Sequence, residues 1–429
     1  MNTPDVVVAV LATLDTKRAE AGFVRDALSR AGVRPWLMDL SLRPHGAAEA
    51  DVPGGRLAAV AGSSWEELAG LDRTRAAETL VVGGRNVLLE AFERGQLSGA
   101  IGLGGANGTS MACSLMRALP PLFPKVMVSP VAATAAVQWY VAESDIAMFA
   151  SIGDMSMNRI THAVLRNAAT AVAAMARARA ETEEPAGKPP PLVGVSTFGV
   201  TAACVDRVTE RLVGEGVEVI HFHASGPGGK ALESLAGWGQ LAGVVDVTTH
   251  ELADLVVGGV YSAGEARLRA TGPEPPPRVV VPGALDFANF WVGMVPERFA
   301  DRAFFQFNAQ NILMRTNEEE LRSLGRLVAE RLNDWEGPVT VLVPRRGFSE
   351  MTKREAHDLS GRQVGPWKQP GVQEAFTDSL REHLRQDGIE DLDLHINDRA
   401  FADTCVDRLL DMMKGSARPD LSAKGTDRG

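Results

Sequence analysis

The sequence predicts an α/β protein made of two doubly wound, Rossmann-like domains with mostly parallel sheets. Three observations lead there. Short, β-branched apolar runs such as Val6–Ala12, Leu192–Phe198 and Gly243–Thr249 alternate with longer amphipathic stretches, the pattern of strands covered on both faces. Two runs lead into glycine loops that open helices, one within Gly99–Pro120 (GAIGLGGANGTSMACSLMRALP) and one at HASGPGGKALESL after Phe222. Between these halves, residues 181–191 (ETEEPAGKPPP) gather charge, proline and glycine and break the periodicity, as a linker does. The expected domains are therefore 1–180 and 192–414, with a disordered tail at 415–429.

In chain order, Val6–Ala12 is the first strand and Thr13–Lys17 a loop. A helix follows from Lys17 to about Ala31, stopped by Gly32, and Pro35–Leu40 is the second strand. Asp39 at its end either reaches a ribose hydroxyl or caps a turn. Residues 42–60 read as loop, and Glu66–Gln96 as helix interrupted at Gly83-Gly84. Lys125–Ser129 and Asp145–Ser151 are strands, and Asn158–Ala180 is a long amphipathic helix. In the second half, Leu192–Phe198, Val217–Phe222, Gly243–Thr249, Arg278–Val281, Val339–Val343 and Leu392–Ile396 read as strands. Thr201–Glu215, Glu318–Asn333, Gln373–Gln386 and Ala400–Lys414 read as helices, and Phe348–Gly371 as irregular.

The Gly99–Pro120 stretch carries the strongest ligand signal. Gly102, Gly104, Gly105 and Gly108 permit a sharp turn and close backbone approach. Asn107, Thr109 and Ser110 add polar groups beside free amides at a helix start, a natural phosphate or carboxylate site. The loop lacks a Walker lysine, and GLGGANG does not fit the dinucleotide fingerprint. A tight strand–helix turn without a ligand is the plain alternative. Thr13, Asp15, Thr16 and Lys17 sit at the carboxyl end of the first strand, where open parallel sheets bind ligands; Lys17 is otherwise a solvated charge at a helix start. Ser225, Gly228 and Gly229 form a second candidate anion loop.

Composition narrows the function classes. The chain has 429 residues, 45% hydrophobic and 23% charged, with a net charge of −10. That balance argues against non-specific nucleic-acid or anionic-membrane binding. Three dispersed cysteines without CxxC or Cys/His metal spacing argue against a disulfide framework or structural zinc and suit a reducing cytoplasm. Val6–Leu14 is too short to span a bilayer and lacks a basic leader.

Acid–base candidates cluster at strand ends in the second half: His223, His250, Glu251, Asp254, Asp286, Asn289, Arg315, His395, Asn397 and Asp398. Asp286 and Asn289, in ALDFAN, are a polar pair within an apolar run and need a reason for burial. With His250 and Glu251 they form the expected catalytic set; helix-dipole pairing explains Glu251 and Asp254 equally well. Arg315 joins the anion-binding set. A magnesium ion bridging carboxylates and phosphates is chemically sensible, but no ligand spacing identifies a metal site.

Several segments, in order, resemble one family: LATLDTK, GLGGANGTS with PKVMVSPVA, STFGVTAACV, FHASGPGGKALE, TTHELAD, PGALDFANF and LMRTNEE. They are similar to the uncharacterised family named for a tomato mosaic virus resistance protein, the Tm-one-like ATP-binding domain family, over about residues 5–412. The resemblance implies two Rossmann-like domains and ATP bound by the N-terminal one, at Thr13–Lys17 and the Gly102–Ser110 loop. Some relatives carry an additional TIM-barrel domain, so a separate partner of that kind is conceivable. The stretch from Pro344 to Pro370, PRRGFSEMTKREAHDLSGRQVGPWKQP, departs from the family pattern and is more basic. That departure makes Arg345, Arg346 and Lys353 candidate contacts for an anionic ligand.

Three readings follow. One is an ATP-binding protein acting on or sensing a small anionic metabolite in a cleft between domains. The second is a nucleotide-independent hydrolase or C–C lyase on a carboxylate. The third is a non-catalytic regulatory binding protein. A homodimer is the expectation by base rate.

Overall fold

The computed structural model describes residues 5–43, 45, 49–181, 189–269, 272 and 274–415. Most of the expected linker and all but the first residue of the expected tail lie outside the described residues. The chain divides into two compact units, Met1–Ala186 and Gly187–Gly429.

Unit 1 is built on five parallel strands: β1 (Val7–Ala12), β2 (Arg34–Asp39), β3 (Gly99–Leu103), β4 (Lys125–Ser129) and β5 (Ala147–Ala150), in the order β2-β1-β3-β4-β5. β1, β3 and β4 are buried along their whole length, which is why their sequences are continuous apolar runs rather than alternating ones. One face packs under helices 73–93 and 106–116, with Leu80, Leu88, Met111 and Leu115 in the core. The other packs under helices 14–30 and 159–181, through Val24, Leu28, Leu165 and Val172.

Local chemistry sets several boundaries differently from the sequence pattern. The first helix begins at Leu14, not Lys17. Residues 54–60, read as loop because of Pro53 and two glycines, form a short helix. The segment read as one helix from Glu66 is two, 65–69 and 73–93, because Gly70-Leu71 separates them and Asp72 caps the second by accepting from the Thr74 and Arg75 amides. Gly83-Gly84 does not interrupt that second helix. A Cβ on Gly83 would stand 1.9 Å from the Leu57 carbonyl oxygen, so the glycine lets helices 54–60 and 73–93 touch backbone to backbone.

Unit 2 has a six-stranded parallel sheet, again doubly wound. Its strands are β6 (Leu192–Thr197), β7 (Glu218–His223), β8 (Gly243–Thr248), β9 (Arg278–Gly283), β13 (Val339–Pro344) and β16 (Ile389–Leu392), ordered β16-β13-β9-β8-β6-β7. The last strand lies a few residues before the Leu392–Ile396 run expected to form it. The chain also makes a second, antiparallel sheet that the sequence pattern did not indicate. It contains β10 (Phe287–Trp291), β11 (Phe304–Gln306), β12 (Asn311–Arg315), β14 (Glu355–His357) and β15 (Gln363–Pro366), ordered β10-β12-β11-β14-β15. The stretch read as irregular, Phe348–Gly371, thus supplies two of its strands. Among the described residues no helix is long and apolar enough to cross a membrane.

Gly83→Ala is expected to lower the unfolding free energy by about 1–3 kcal/mol, because the methyl forces two helix backbones apart. Gly105→Ala, whose Cβ would meet nothing within 4 Å, serves as the control. Urea denaturation checks the pair; equal stabilities would mean that the helices have room to part.

Candidate functional site

The strand order of unit 1 reverses direction between β1 and β3. In doubly wound sheets this is the switch point, and ligands bind outside the carboxyl ends of the strands there. Two helices start at that edge, 14–30 after β1 and 106–116 after β3. The first turn of any helix carries amides without intrahelical partners, and these two helices treat them differently. At the first, Asp39 Oδ1 accepts from the Leu14 amide (3.2 Å) and Ser41 Oγ from the Asp15 amide (2.9 Å). Asp39 also takes the Ser41 amide and hydroxyl, and pairs with His45 Nε2 at 2.8 Å. Of its two sequence readings, capping is the one the geometry realises. At the second helix the cap is Gly105, with no side chain to offer. Among the described residues nothing accepts from the amides of Ala106, Asn107 or Gly108.

These amides border a cleft of about 340 Å³, lined by Thr13, Asp15, Thr16, Lys17, Leu42, Arg73, Met111 and residues 105–108. The Thr13 and Thr16 hydroxyls are 2.9 Å apart. Lys17 is held in place, its ammonium donating to the Met155 carbonyl and lying 3.7 Å from Glu20. With the Asn107 amide turned to present its oxygen, Arg73 donates to it through Nε (2.6 Å) and Nη2 (3.2 Å). An adjoining cleft of about 280 Å³ shares Asp15, Leu42 and Arg73 and adds Arg43, Leu68, Ala69, Leu71 and Ala76. The remaining expected residues play other parts. Gly102 and Gly104 permit close packing, Gly104 against Gly108. Thr109 is buried, bonded to the Gly104 carbonyl (3.1 Å) and Ser129 Oγ (2.6 Å). Ser110 is exposed and is not part of the cleft lining.

The glycine loop of unit 2 has a different fate. Glu251 Oε1 accepts from the Gly226 amide at 2.6 Å and the Gly229 amide at 3.2 Å. A Cβ on Gly229 would fall 2.0 Å from that carboxylate. The loop's anion is therefore the chain's own side chain. This corrects the expectation that Gly229 receives a substrate anion; Gly228 packs close to the His223 carbonyl oxygen, 1.9 Å from where its Cβ would stand, and the Ser225 hydroxyl faces the same carbonyl at 3.4 Å. Glu251 is in turn bonded to Arg267 Nε at 2.8 Å, within a buried network in which Arg267 also meets Asp246 and Glu233, and Arg278 meets Glu233.

The expected catalytic set does not assemble into one constellation of free groups. Asn289 is committed to Asp254 through its amide nitrogen (3.0 Å) and its side chain (3.1 Å), and accepts from Asn311. Burial pushes Asp254 up to about 7. His250 is fully buried against Phe198 and Phe287, neither ring nitrogen has a hydrogen-bond partner, and burial, with Arg267 and His223 nearby, pushes it down to about 3. Asp286 accepts from Ser349 Oγ (2.7 Å) and Trp367 Nε1 (3.0 Å) through one oxygen, and its burial raises it to about 6. Arg315 donates to the Pro366 and Trp367 carbonyls. His395, Asn397 and Asp398 bond one another and residues 349–352 and 200–204. In the divergent basic segment, Arg345 and Arg346 pair with Asp393, and Lys353 with Glu350.

Against known proteins, residues 6–181 match the N-terminal domain, and residues 190–413 the C-terminal domain, of an uncharacterised protein family, UPF0261. The chain belongs to the UPF0261 family. A UPF0261 protein of Rhizobium meliloti, RA0729, is 38% identical over 410 residues, covering 93% of this chain and 97% of that one. A UPF0261 protein of Clostridium tetani is 36% identical over 412 residues, covering 95% and 99%. The tomato ToMV resistance protein Tm-1 is 37% identical over 329 residues, which is 75% of this chain and 42% of the tomato protein.

In this UPF0261 chain, sequence reasoning missed Arg73 and Arg43. Both sit outside any glycine motif, and Arg73 reaches the cleft only because helix 73–93 starts beside it. The Asp72 cap was the one local signal of that start.

The raised Asp286 pKa has a definite sign. The folded state holds this proton more tightly than the unfolded chain, so the contribution to stability is complete below about pH 4 and is lost as pH rises through about 6. Two pH units correspond to roughly 3 kcal/mol. Asp286→Asn keeps an acceptor for Ser349 and Trp367 and removes the buried charge. Its unfolding free energy is expected to gain on the wild type between pH 4 and 6 and to run parallel to it above pH 7. Denaturant titrations across that range measure the difference, and a constant offset would place the Asp286 charge elsewhere.

Proposed function

We propose that unit 1 is a binding domain for a phosphate-bearing ligand, with ATP the leading candidate. The observation that carries this reading is the set of unpartnered amides at 106–108, located at the β1/β3 switch point beside Thr13, Thr16, Lys17 and Arg73. Amides at the start of an eleven-residue helix present partial positive charge to an anion without any rearrangement. The neighbouring helix start, closed by Asp39 and Ser41, has no such capacity left. The adjoining cleft, walled by Leu42, Leu68, Leu71 and Ala76, offers an apolar surface suited to a flat base. The choice of nucleotide rests on the resemblance of the LATLDTK and GLGGANGTS segments to the Tm-one-like ATP-binding domain family. Asp15 lines both clefts, and a magnesium ion bound with the nucleotide would reconcile its carboxylate with phosphate.

A thermal-shift titration of the full chain with ATP, ADP, AMP and inorganic phosphate, with and without magnesium, tests the reading. ATP at a hundredfold excess over its Kd should stabilise the fold by about 2.7 kcal/mol. Gly105→Asp introduces a carboxylate where the backbone has space and should abolish the shift without lowering the ligand-free Tm. An unchanged shift in that variant, or none with any phosphate compound in the wild type, would refute the assignment.

A further inference from the structure

Unit 1 guards one edge of its sheet and leaves the other open. The β2 edge carries Arg34 and Pro35. The chain also lays Val52 along it, the Val52 amide donating to the Leu37 carbonyl (3.0 Å) and the Val52 carbonyl accepting from the Asp39 amide (2.9 Å). Charge, proline and a covering segment are devices that stop strands of different chains from pairing. The opposite edge, β5 (AMFA), has neither charge nor proline, and its first and last residues are exposed. Just past its end the Ser151 amide donates to the Ser129 carbonyl of β4 (3.2 Å). By alternation the backbone groups of Met148 and Ala150 turn away from β4. Among the described residues no strand pairs with them on that side.

The surroundings of that edge are apolar and strained. Leu122, Trp139 and Ile152 are 75%, 76% and 80% exposed, the three most exposed large apolar side chains among the described residues. Ile152 follows β5 and has φ +69°. Leu122 has φ +67°, and its amide is fixed to Asp145 Oδ2 at 2.7 Å, two residues before β5. Trp139 lies in the short helix 137–141, which packs Tyr140 and Val141 against the cluster containing Ile146 and Met127 and leaves Trp139 in solvent. A β-branched residue at positive φ is rare and costly. Such strain concentrates at sites that bind something, and here it holds an isoleucine side chain in water.

We propose that the β5 edge is a homodimer interface, on which a second copy of this chain lays its own β5 antiparallel across a twofold axis. Two five-stranded sheets then become one continuous sheet. An open edge strand is complementary to itself in this arrangement, because each copy offers the same alternating donors and acceptors. β5 has no charged side chain to repel its twin, nor one with which to select a foreign segment. Leu122, Trp139 and Ile152 together offer roughly 300 Å² of apolar surface per copy. Over two copies that is about half of the 1,200 Å² at which stable interfaces begin. The strand backbone and the partly exposed Met157 and Ile160, which follow in the chain, add to it. The interface is independent of the ligand proposed for unit 1.

Sedimentation velocity of the full chain over a wide concentration range, with hydrogen exchange at both ends of the range, is the test. The wild type should sediment as a dimer at the high end, and the Met148 and Ala150 amides should be protected only there. Ala150→Lys places a guard charge at an exposed position. It should raise the dimer dissociation constant by about a hundredfold, tenfold for each copy's lysine, without lowering the Tm of the monomer. Ile152→Gly hands the positive φ to the residue that tolerates it. It should weaken the dimer while leaving the monomer Tm unchanged or higher, and it covers the case in which the lysine variant fails to fold. A wild type that stays monomeric, or a dimer that neither substitution weakens, would overturn the proposal. So would protection of the two amides at every concentration, which would mean that another part of the same chain covers the edge.

Discussion

Every helix in this protein must find acceptors for its first few amides, and much of the architecture is an answer to that requirement. Asp39 and Ser41 close the start of helix 14–30, Asp72 that of 73–93 and Asn317 that of 318–333. Glu251 reaches back more than twenty residues to close the loop before helix 227–237. The glycine at position 105, by contrast, caps a well-packed helix with its carbonyl alone and has no side-chain acceptor to offer the amides of 106–108. Two glycine loops of similar composition therefore differ in one respect that decides their chemistry. One contains its anion, and the other presents amides to a cleft.

The Glu251 arrangement also shows how electrostatics tie unit 2 together. A carboxylate at a helix start is favourable by itself, but this one is fully buried and needs a cation. Arg267 supplies it, and then shares its remaining protons with Asp246 and Glu233, which also bind Arg278. Removing any one member strands a charge in the interior, a far larger cost than the pair's net worth in the intact network. The consequence is a unit whose β7–β9 region behaves as one block, built from residues that are distant in sequence.

Much of the fold was legible in the sequence. The continuous apolar runs at Val6–Ala12 and Leu192–Phe198 are what doubly covered parallel strands require, and the alternation with helices follows. The antiparallel sheet was not legible, because its strands are three to five residues long and include Glu355, His357, Gln363 and Pro366, which carry no periodic signal. Gly83 was misread because its reason for being glycine is Leu57, in another helix. The candidate site was half legible. Thr13, Lys17 and residues 105–108 do line one cleft, although 106–108 are the first turn of a helix expected to open only at Thr109, whereas Arg73 depends on the direction of a helix whose packing no local pattern reveals. The closure of the second loop by Glu251 is likewise a tertiary fact, invisible to spacing.

The strand orders have a consequence for how the chain is made. All of unit 1's sheet comes from a contiguous stretch, β1 to β5, so its core can close while later residues are still being synthesised. Unit 2 has no such opportunity. The antiparallel strands β10 to β12 are looped out between β9 and its neighbour β13, and the edge strand β16 comes from residues 389–392. Its parallel sheet stays incomplete, with the β13 edge unpaired, until residues 389–392 have been synthesised. The synthesis of the residues between β13 and β16 thus sets how long the β13 edge waits for its partner.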